Sequence, residues 1–338
     1  MRLLSLLFIF SLLKYELYSL EFPKDHGFHK DFRLEWCYFI GNLKSSQNED
    51  IGYELSFFRA IVGEKEEIFP VHFAISETGK KIHTTTDTLH RRYGGLAEYD
   101  FKLIRAGDFK IEIQSPLEFR IIANPRNKKM NLDLHLKIQS INDILPQGKD
   151  GYSPKSRKYP NIYSYYYSIP RMETRGKIVS DSKDYQIVSG ATWMDHEWSS
   201  PIAEKTDRIG ARDTQWDWIC IQLDDGTDIM AFNFRNTAGE KSESFGTLRD
   251  KTGKIQYFHK EGEVSFVSQE KKWKSKSTGK SYSLLWNLKL GNYDFQITPT
   301  FEEQEFVAFD STGNSYWEGG VKILDRTGIT GKGYLELK

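Results

Sequence analysis

Cysteine is nearly absent from this chain of 338 residues: only Cys37 and Cys220 occur, far apart in sequence. Two cysteines exclude a disulfide framework. The default reading is two buried thiols acting as small hydrophobes, with a bridge between them left open. Neither has a second Cys or His at ligand spacing, so no metal site is expected. Net charge is absent too, with 47 basic and 47 acidic residues. No single-sign field draws the protein to nucleic acid or to an anionic membrane. The chain also lacks a nucleophile elbow, a phosphate-binding glycine loop and a dinucleotide fingerprint. Apolar runs are short, except for residues 3–13 after Arg2. That run, about eleven residues, fits a secretory signal and falls short of the roughly 20 a spanning helix needs. Residues 1–19 are therefore expected to be a signal peptide ending at Ser19, and the protein to be periplasmic or secreted. An uncleaved membrane anchor is the alternative.

Aromatic residues are plentiful: 22 Phe, 18 Tyr and 8 Trp. They fall in short alternating runs. Phe32, Leu34, Trp36, Tyr38 and Ile40 alternate with Arg33, Glu35, Cys37 and Phe39, and similar runs recur at 51–62, 68–76, 109–114, 117–122 and 132–138. Gly63, Gly79, Gly107 and Asn124-Pro125 punctuate them as turns. A second series includes 216–223, the turn Asp224-Asp225-Gly226, and 228–235, which together read as a hairpin. Helix-period stretches are scarce. The expected fold is all-β: two antiparallel β-barrel domains with few helices. Residues 145–160, rich in Pro, Gly, Lys and Ser, are taken as the boundary. The domains are then 20–160 and 161–338. The Lys-rich stretch 271–280 reads as a solvated loop.

The residues richest in chemistry are Trp193-Met194-Asp195-His196-Glu197-Trp198, echoed by Phe22-Pro23-Lys24-Asp25-His26-Gly27 with Glu35-Trp36. Tryptophans with a few placed polar groups are the make-up of a small-molecule site. In an extended strand, His196 and Trp198 share one face and Asp195 and Glu197 the other; Trp216 and Trp218 likewise oppose Asp217. The carboxylates are expected to anchor Arg171, Arg212 or backbone groups more readily than to react. His26 and His29 stand three apart without a third ligand at a recognisable spacing; His83 and His90 read as surface groups.

With Phe58-Arg59, His72-Phe73-Ala74, Tyr166-Tyr167-Ser168, Trp216-Asp217-Trp218, Tyr316-Trp317-Glu318-Gly319 and Gly333-Tyr334-Leu335-Glu336, these motifs resemble, in order, the carotenoid 1,2-hydratase/AttH-like family. The resemblance covers residue 21 to the C-terminus and implies two lipocalin-like barrels, among enzymes that hydrate or cyclise isoprenoid-like substrates. Adding water to a C=C bond needs an acid, a stabilised cation and a placed water, and no redox cofactor. A carboxyl with a raised pKa supplies the acid and Trp faces stabilise the cation. The candidate catalytic residues are His196, Asp195, Glu197 and Asp217. The candidate ligand-binding residues are His26, Glu35, Trp36, Trp198, Trp216 and Trp218, placed where the two domains meet. The resemblance also implies a Tyr-x-Asp acid on the next hairpin, where this chain reads Met230-Ala231-Phe232-Asn233-Phe234-Arg235, with no carboxyl. That departure, with the export signal, favours an exported carrier of an apolar isoprenoid or lipid, working with membrane-associated transport machinery. A hydratase or cyclisation enzyme is the alternative.

Overall fold

In the computed structural model, which describes residues 18–126, 128–159, 162–181, 183–201, 214–236 and 242–338, two nearly closed antiparallel sheets form two lipocalin-like barrels. Among the described residues, helix is limited to four three-residue 3-10 turns, and no helix is long and apolar enough to cross a membrane. The signal-like residues 3–13 and Arg212 lie outside the described residues.

The first barrel is built round the strands Ile82–Arg91, Glu66–Glu77, Asp50–Val62, Phe32–Ser45, Lys183–Pro201, Tyr163–Ser180 and Met130–Lys137, hydrogen-bonded in that order and continued by four shorter strands. The domain boundary expected at 160 is thereby corrected. Both long strands after it, Tyr163–Ser180 and Lys183–Pro201, return to the first sheet, and the change of sheet falls between Pro201 and Thr214. Residues 145–160 mislead in sequence because 145–159 are a strap, not a linker. Leu145–Pro146 and Tyr152–Pro154 pair with the Tyr163–Ser180 strand, and Gln147 and Ser153 are buried. The second barrel runs Ile255–Phe258, Glu243–Arg249, Asp228–Asn236, Thr214–Leu223, Thr330–Leu337, Asn314–Asp325, Tyr293–Pro299, Trp286–Leu290 and Val264–Ser268. Within 271–280, Lys272–Lys274 forms a short strand paired with Ser281–Ser283. The strand Ile82–Arg91 was not expected, because its Thr-rich sequence lacks apolar alternation.

Strand alternation gives each barrel an apolar interior and a second buried face. In the first barrel, Cys37, Phe39, Leu55, Phe57, Val71, Phe73 and Met194 fill the interior. In the second, Ile219, Ile221, Leu288, Trp317, Val321 and Leu335 do so. The opposite sides of the same strands meet each other: Tyr38, Ile40, Tyr166 and Trp193 pack against Trp218, Cys220, Met230, Phe232, Phe245 and Tyr334. Both cysteines are free, one inside the first barrel and one at the contact between barrels. Gly333 serves close strand approach, since a Cβ there would lie 2.3 Å from the Cys220 carbonyl oxygen.

Charge pins the barrels together. Arg171 of the first donates to Asp228 of the second at 2.7 Å, and Arg249 donates to the other oxygen of the same carboxylate at 2.7 Å. Arg171 thus finds Asp228, not Asp195 or Glu197. Asp228 is fully buried, so its removal leaves two guanidinium groups without their anion. Asp228→Ala is expected to cost about 3–5 kcal/mol, measured as a lowered urea midpoint.

Candidate functional site

The residues singled out in sequence separate into two places. His26, Glu35, His196 and Trp198 point into the first barrel; Trp36, Asp195, Glu197, Trp216 and Trp218 face the seam between barrels. The expected meeting of His26, Glu35, His196 and Trp198 with Trp216 is therefore corrected. Strand Lys183–Pro201 belongs to the first barrel, and its alternation sends His196 and Trp198 away from the second. Asp217 is corrected too. It points into the second barrel, where Arg235 donates to it at 2.6 Å and Asn233 at 3.1 Å.

At the seam, Asp195 is buried and accepts hydrogen bonds from Tyr166 Oη at 2.5 Å, Ser168 Oγ at 2.5 Å and Trp193 Nε1 at 2.6 Å. Burial raises its pKa to about 7 against the opposing pull of those donors. Both of its oxygens are thus engaged by its own barrel, which marks it as a structural hub. Glu197 is held by Lys155 of the strap at 2.7 Å, and the ammonium lies 4.7 Å from the Phe232 ring centre.

The second barrel contributes what the sequence reading passed over. Glu318 and Glu336 stand directly opposite each other on neighbouring strands, and both face the seam. Like charges in that register are destabilising. Glu318 is fully buried and accepts from Tyr38 Oη of the first barrel. Burial, then its neighbour Glu336, push its pKa well above the usual range. Glu336 is only half-buried and accepts from Trp216 Nε1 at 3.0 Å; burial raises it to about 7. Glu54, from the first barrel, accepts from Ser56 at 2.8 Å, while its Oε2 has no partner among the described residues. Burial lifts Glu54 to about 8, with Glu336 adding to the rise. Three carboxyls in an apolar wall cannot all ionise near neutrality, so they titrate as a coupled set that retains protons. Trp36, Phe58, Trp216 and Phe234 are half-buried at the same seam, leaving it open to solvent on one side.

A carboxyl whose folded pKa lies above its unfolded value favours folding at low pH and loses that contribution as pH rises through the window. For Glu54 the window runs from 4.5 to about 8. Glu54→Gln is therefore expected to gain on the wild type as pH rises across that window, by up to about 1.4 kcal/mol for each unit. Paired melting curves across the window check it; a constant difference contradicts it.

Inside the first barrel lies a compact imidazole–carboxylate cluster. Glu35 Oε1 is 2.6 Å from His29 Nδ1 and 2.7 Å from His196 Nε2. Asp25 Oδ1 is 3.2 Å from His29 Nε2 and accepts from Tyr18 Oη at 2.9 Å. Tyr167 Oη lies between His26 Nδ1 at 2.8 Å and His196 Nδ1 at 3.2 Å. Trp198 stacks on His29 with ring centres 4.0 Å apart. Burial alone would lower His29; the hydrogen bonds from Asp25 and Glu35 outweigh it and raise the pKa to about 9. Burial lowers His26 to about 3 and also lowers His196.

Two back-to-back lipocalin-like barrels, with carboxyls and tryptophans gathered at the seam, define a double-barrel protein whose candidate site lies between domains. The chain belongs to the AttH-like family, whose model matches residues 14–338. Its fold is similar to that of a candidate AttH from Nitrosomonas europaea, at 29% identity and a TM-score of 0.84, covering 95% of this chain and 97% of that one. Kievitone hydratase from Nectria haematococca is similar at 15% identity and a TM-score of 0.72, covering 96% and 94%. CghA, in its structure with Sch210972, is similar at 10% identity and a TM-score of 0.55, covering 91% and 89%. The last two likenesses concern fold alone. No curated protein matches the chain in sequence.

Proposed function

We propose that this protein is an acid–base enzyme that protonates a C=C bond of an apolar substrate lodged between its barrels. The observation that carries the reading is the Glu318–Glu336 pair, set in cross-strand register at an aromatic seam. Glu336, on the solvent-reachable side, gives its proton to one alkene carbon, and the π electrons form the new C–H bond. The neighbouring carbon becomes a cation against the faces of Trp216 and Trp36. Water attacks that carbon, and its proton returns to the carboxylate pair. The sum is addition of H and OH, with no oxidation. A substrate whose own second double bond attacks the cation would cyclise instead. Kievitone hydratase is by name an enzyme of the first kind, which fits this reading.

The carrier reading expected from sequence has less support. The interior of the first barrel is filled by Phe39, Tyr53, Phe57 and Phe73, and a carrier has no use for destabilising carboxyls. The surface groove of about 270 Å³ at Glu118, His135, Lys137, Glu173 and Arg175 is too charged for a lipid. Export and a membrane-associated partner stand as proposals resting on Arg2 and residues 3–13.

The test is incubation with polyenes, prenylated phenols and the native host's lipid extract in ¹⁸O-labelled water, read by mass spectrometry. The expected result is a product carrying one ¹⁸O, or an isomeric cyclised product, formed by wild type and lost in Glu336→Gln. Tight binding of an extract lipid without any product would overturn the enzyme reading in favour of the carrier.

A further inference from the structure

We propose that His29, Glu35 and His196 form a binding site for one divalent transition-metal ion, Zn²⁺ above all, inside the first barrel and apart from the carboxyl seam. The three ligand atoms lie within 4.8 Å of one another, and no other group of three such side chains among the described residues does so. Two imidazoles and one carboxylate are a recognised zinc donor set, one that leaves a fourth position for water.

The hydrogen bonds behind the cluster aim its lone pairs. His26 Nε2 donates to the Pro116 carbonyl at 3.1 Å, so His26 Nδ1 is an acceptor facing Tyr167 Oη at 2.8 Å. The single hydroxyl proton of Tyr167 goes to His26 Nδ1 or to the Asp25 carbonyl oxygen 3.2 Å away, and is committed in either case. Its oxygen, 3.2 Å from His196 Nδ1, can only accept there, so the His196 proton sits on Nδ1. His196 Nε2 consequently presents a lone pair to Glu35 Oε1 at 2.7 Å. At 2.7 Å the pair shares a proton, which a metal ion would displace on binding. On the other side, Asp25 Oδ1 faces His29 Nε2 at 3.2 Å and turns His29 Nδ1 toward the same Glu35 oxygen. A carboxylate behind one imidazole and a hydroxyl behind the other is the outer arrangement that orients metal-ligating histidines. The remaining Glu35 oxygen is fixed by the His29 backbone N–H at 2.6 Å. Asp25 and Glu35 set two carboxylates beside the imidazoles, and a metal ion at His29 Nδ1 would release the proton held there. The cluster is not sealed, since the His29 side chain is 11% exposed.

The experiment is a Co²⁺ titration of untagged, chelator-treated full-length protein, followed by visible absorption, with Zn²⁺ as competitor. One equivalent should bind and be displaced by Zn²⁺. His29→Gln and His196→Gln should each lose at least about 100-fold in affinity, and Asp25→Asn about 10–100-fold. No stoichiometric uptake by wild type, or unchanged affinity in both histidine variants, would overturn the site. Should either histidine variant fail to fold, ¹⁵N NMR of wild-type histidines decides. Zn²⁺ must then shift His29 Nδ1 and His196 Nε2, and a spectrum in which neither moves refutes the proposal.

Discussion

Glu336→Gln should lower turnover about 10²–10⁴-fold while leaving substrate affinity within a few-fold, because the amide keeps the shape and hydrogen-bonding of the side chain but has no acidic proton. Glu336 is the partner of Glu318 with access to solvent, so it is the group that touches substrate. Glu318→Gln should act differently. Glu318, the higher of the two, stays neutral while Glu336 titrates, so replacing it with another neutral group should leave the pH limb in place while some turnover survives. In the wild type, activity needs the protonated carboxyl. It should therefore be full below about 7, the value to which burial raises Glu336, and fall as pH rises beyond it. Steady-state kinetics across pH for the three proteins separates these roles. Equal loss of kcat in both variants would contradict the assignment of Glu336 as the acid.

Trp198→Ala should cost about 3–5 kcal/mol of stability, the usual range for deleting a buried large aromatic side chain. Trp198 is fully buried, stacked on His29 and edge-on to Tyr18 and His196. Its sequence assignment as a ligand-binding wall pictured it at the seam, where its loss would weaken binding. Because it lies in the interior of the first barrel, affinity for a seam ligand should stay unchanged in whatever fraction folds. Urea unfolding and probe binding, measured on one preparation, distinguish the outcomes. A stable variant with weakened binding would return Trp198 to the ligand site.

The fold was legible because period-two alternation and turn residues are local signals. The facing of Asp195 and Glu197 away from His196 and Trp198 was legible for the same reason. Which sheet a strand joins is not local. Nothing in 163–201 says that Lys183–Pro201 turns back to pair with Phe32–Ser45 and Tyr163–Ser180 with Met130–Lys137, and the Pro- and Gly-rich strap before them imitates a linker. The Glu318–Glu336 pair did leave a trace. The turn at Asp325-Arg326-Thr327-Gly328 closes a hairpin whose register sets 318 opposite 336, so counting back from that turn would have found it. His29 had no such trace. Its partner Glu35 is six residues away, but His196 is 161 residues from Glu35, a distance only the closed barrel bridges.

The central claim is that the seam keeps a glutamate protonated near neutral pH, ready to give its proton to an alkene. The most direct measurement is a ¹³C NMR titration of the glutamate side-chain carboxyls in uniformly labelled protein. The account predicts a resonance titrating at about 7, the value burial gives Glu336, that disappears in Glu336→Gln. If every glutamate resonance instead titrates in the ordinary range of about 4–5, the seam holds no such acid and the account fails.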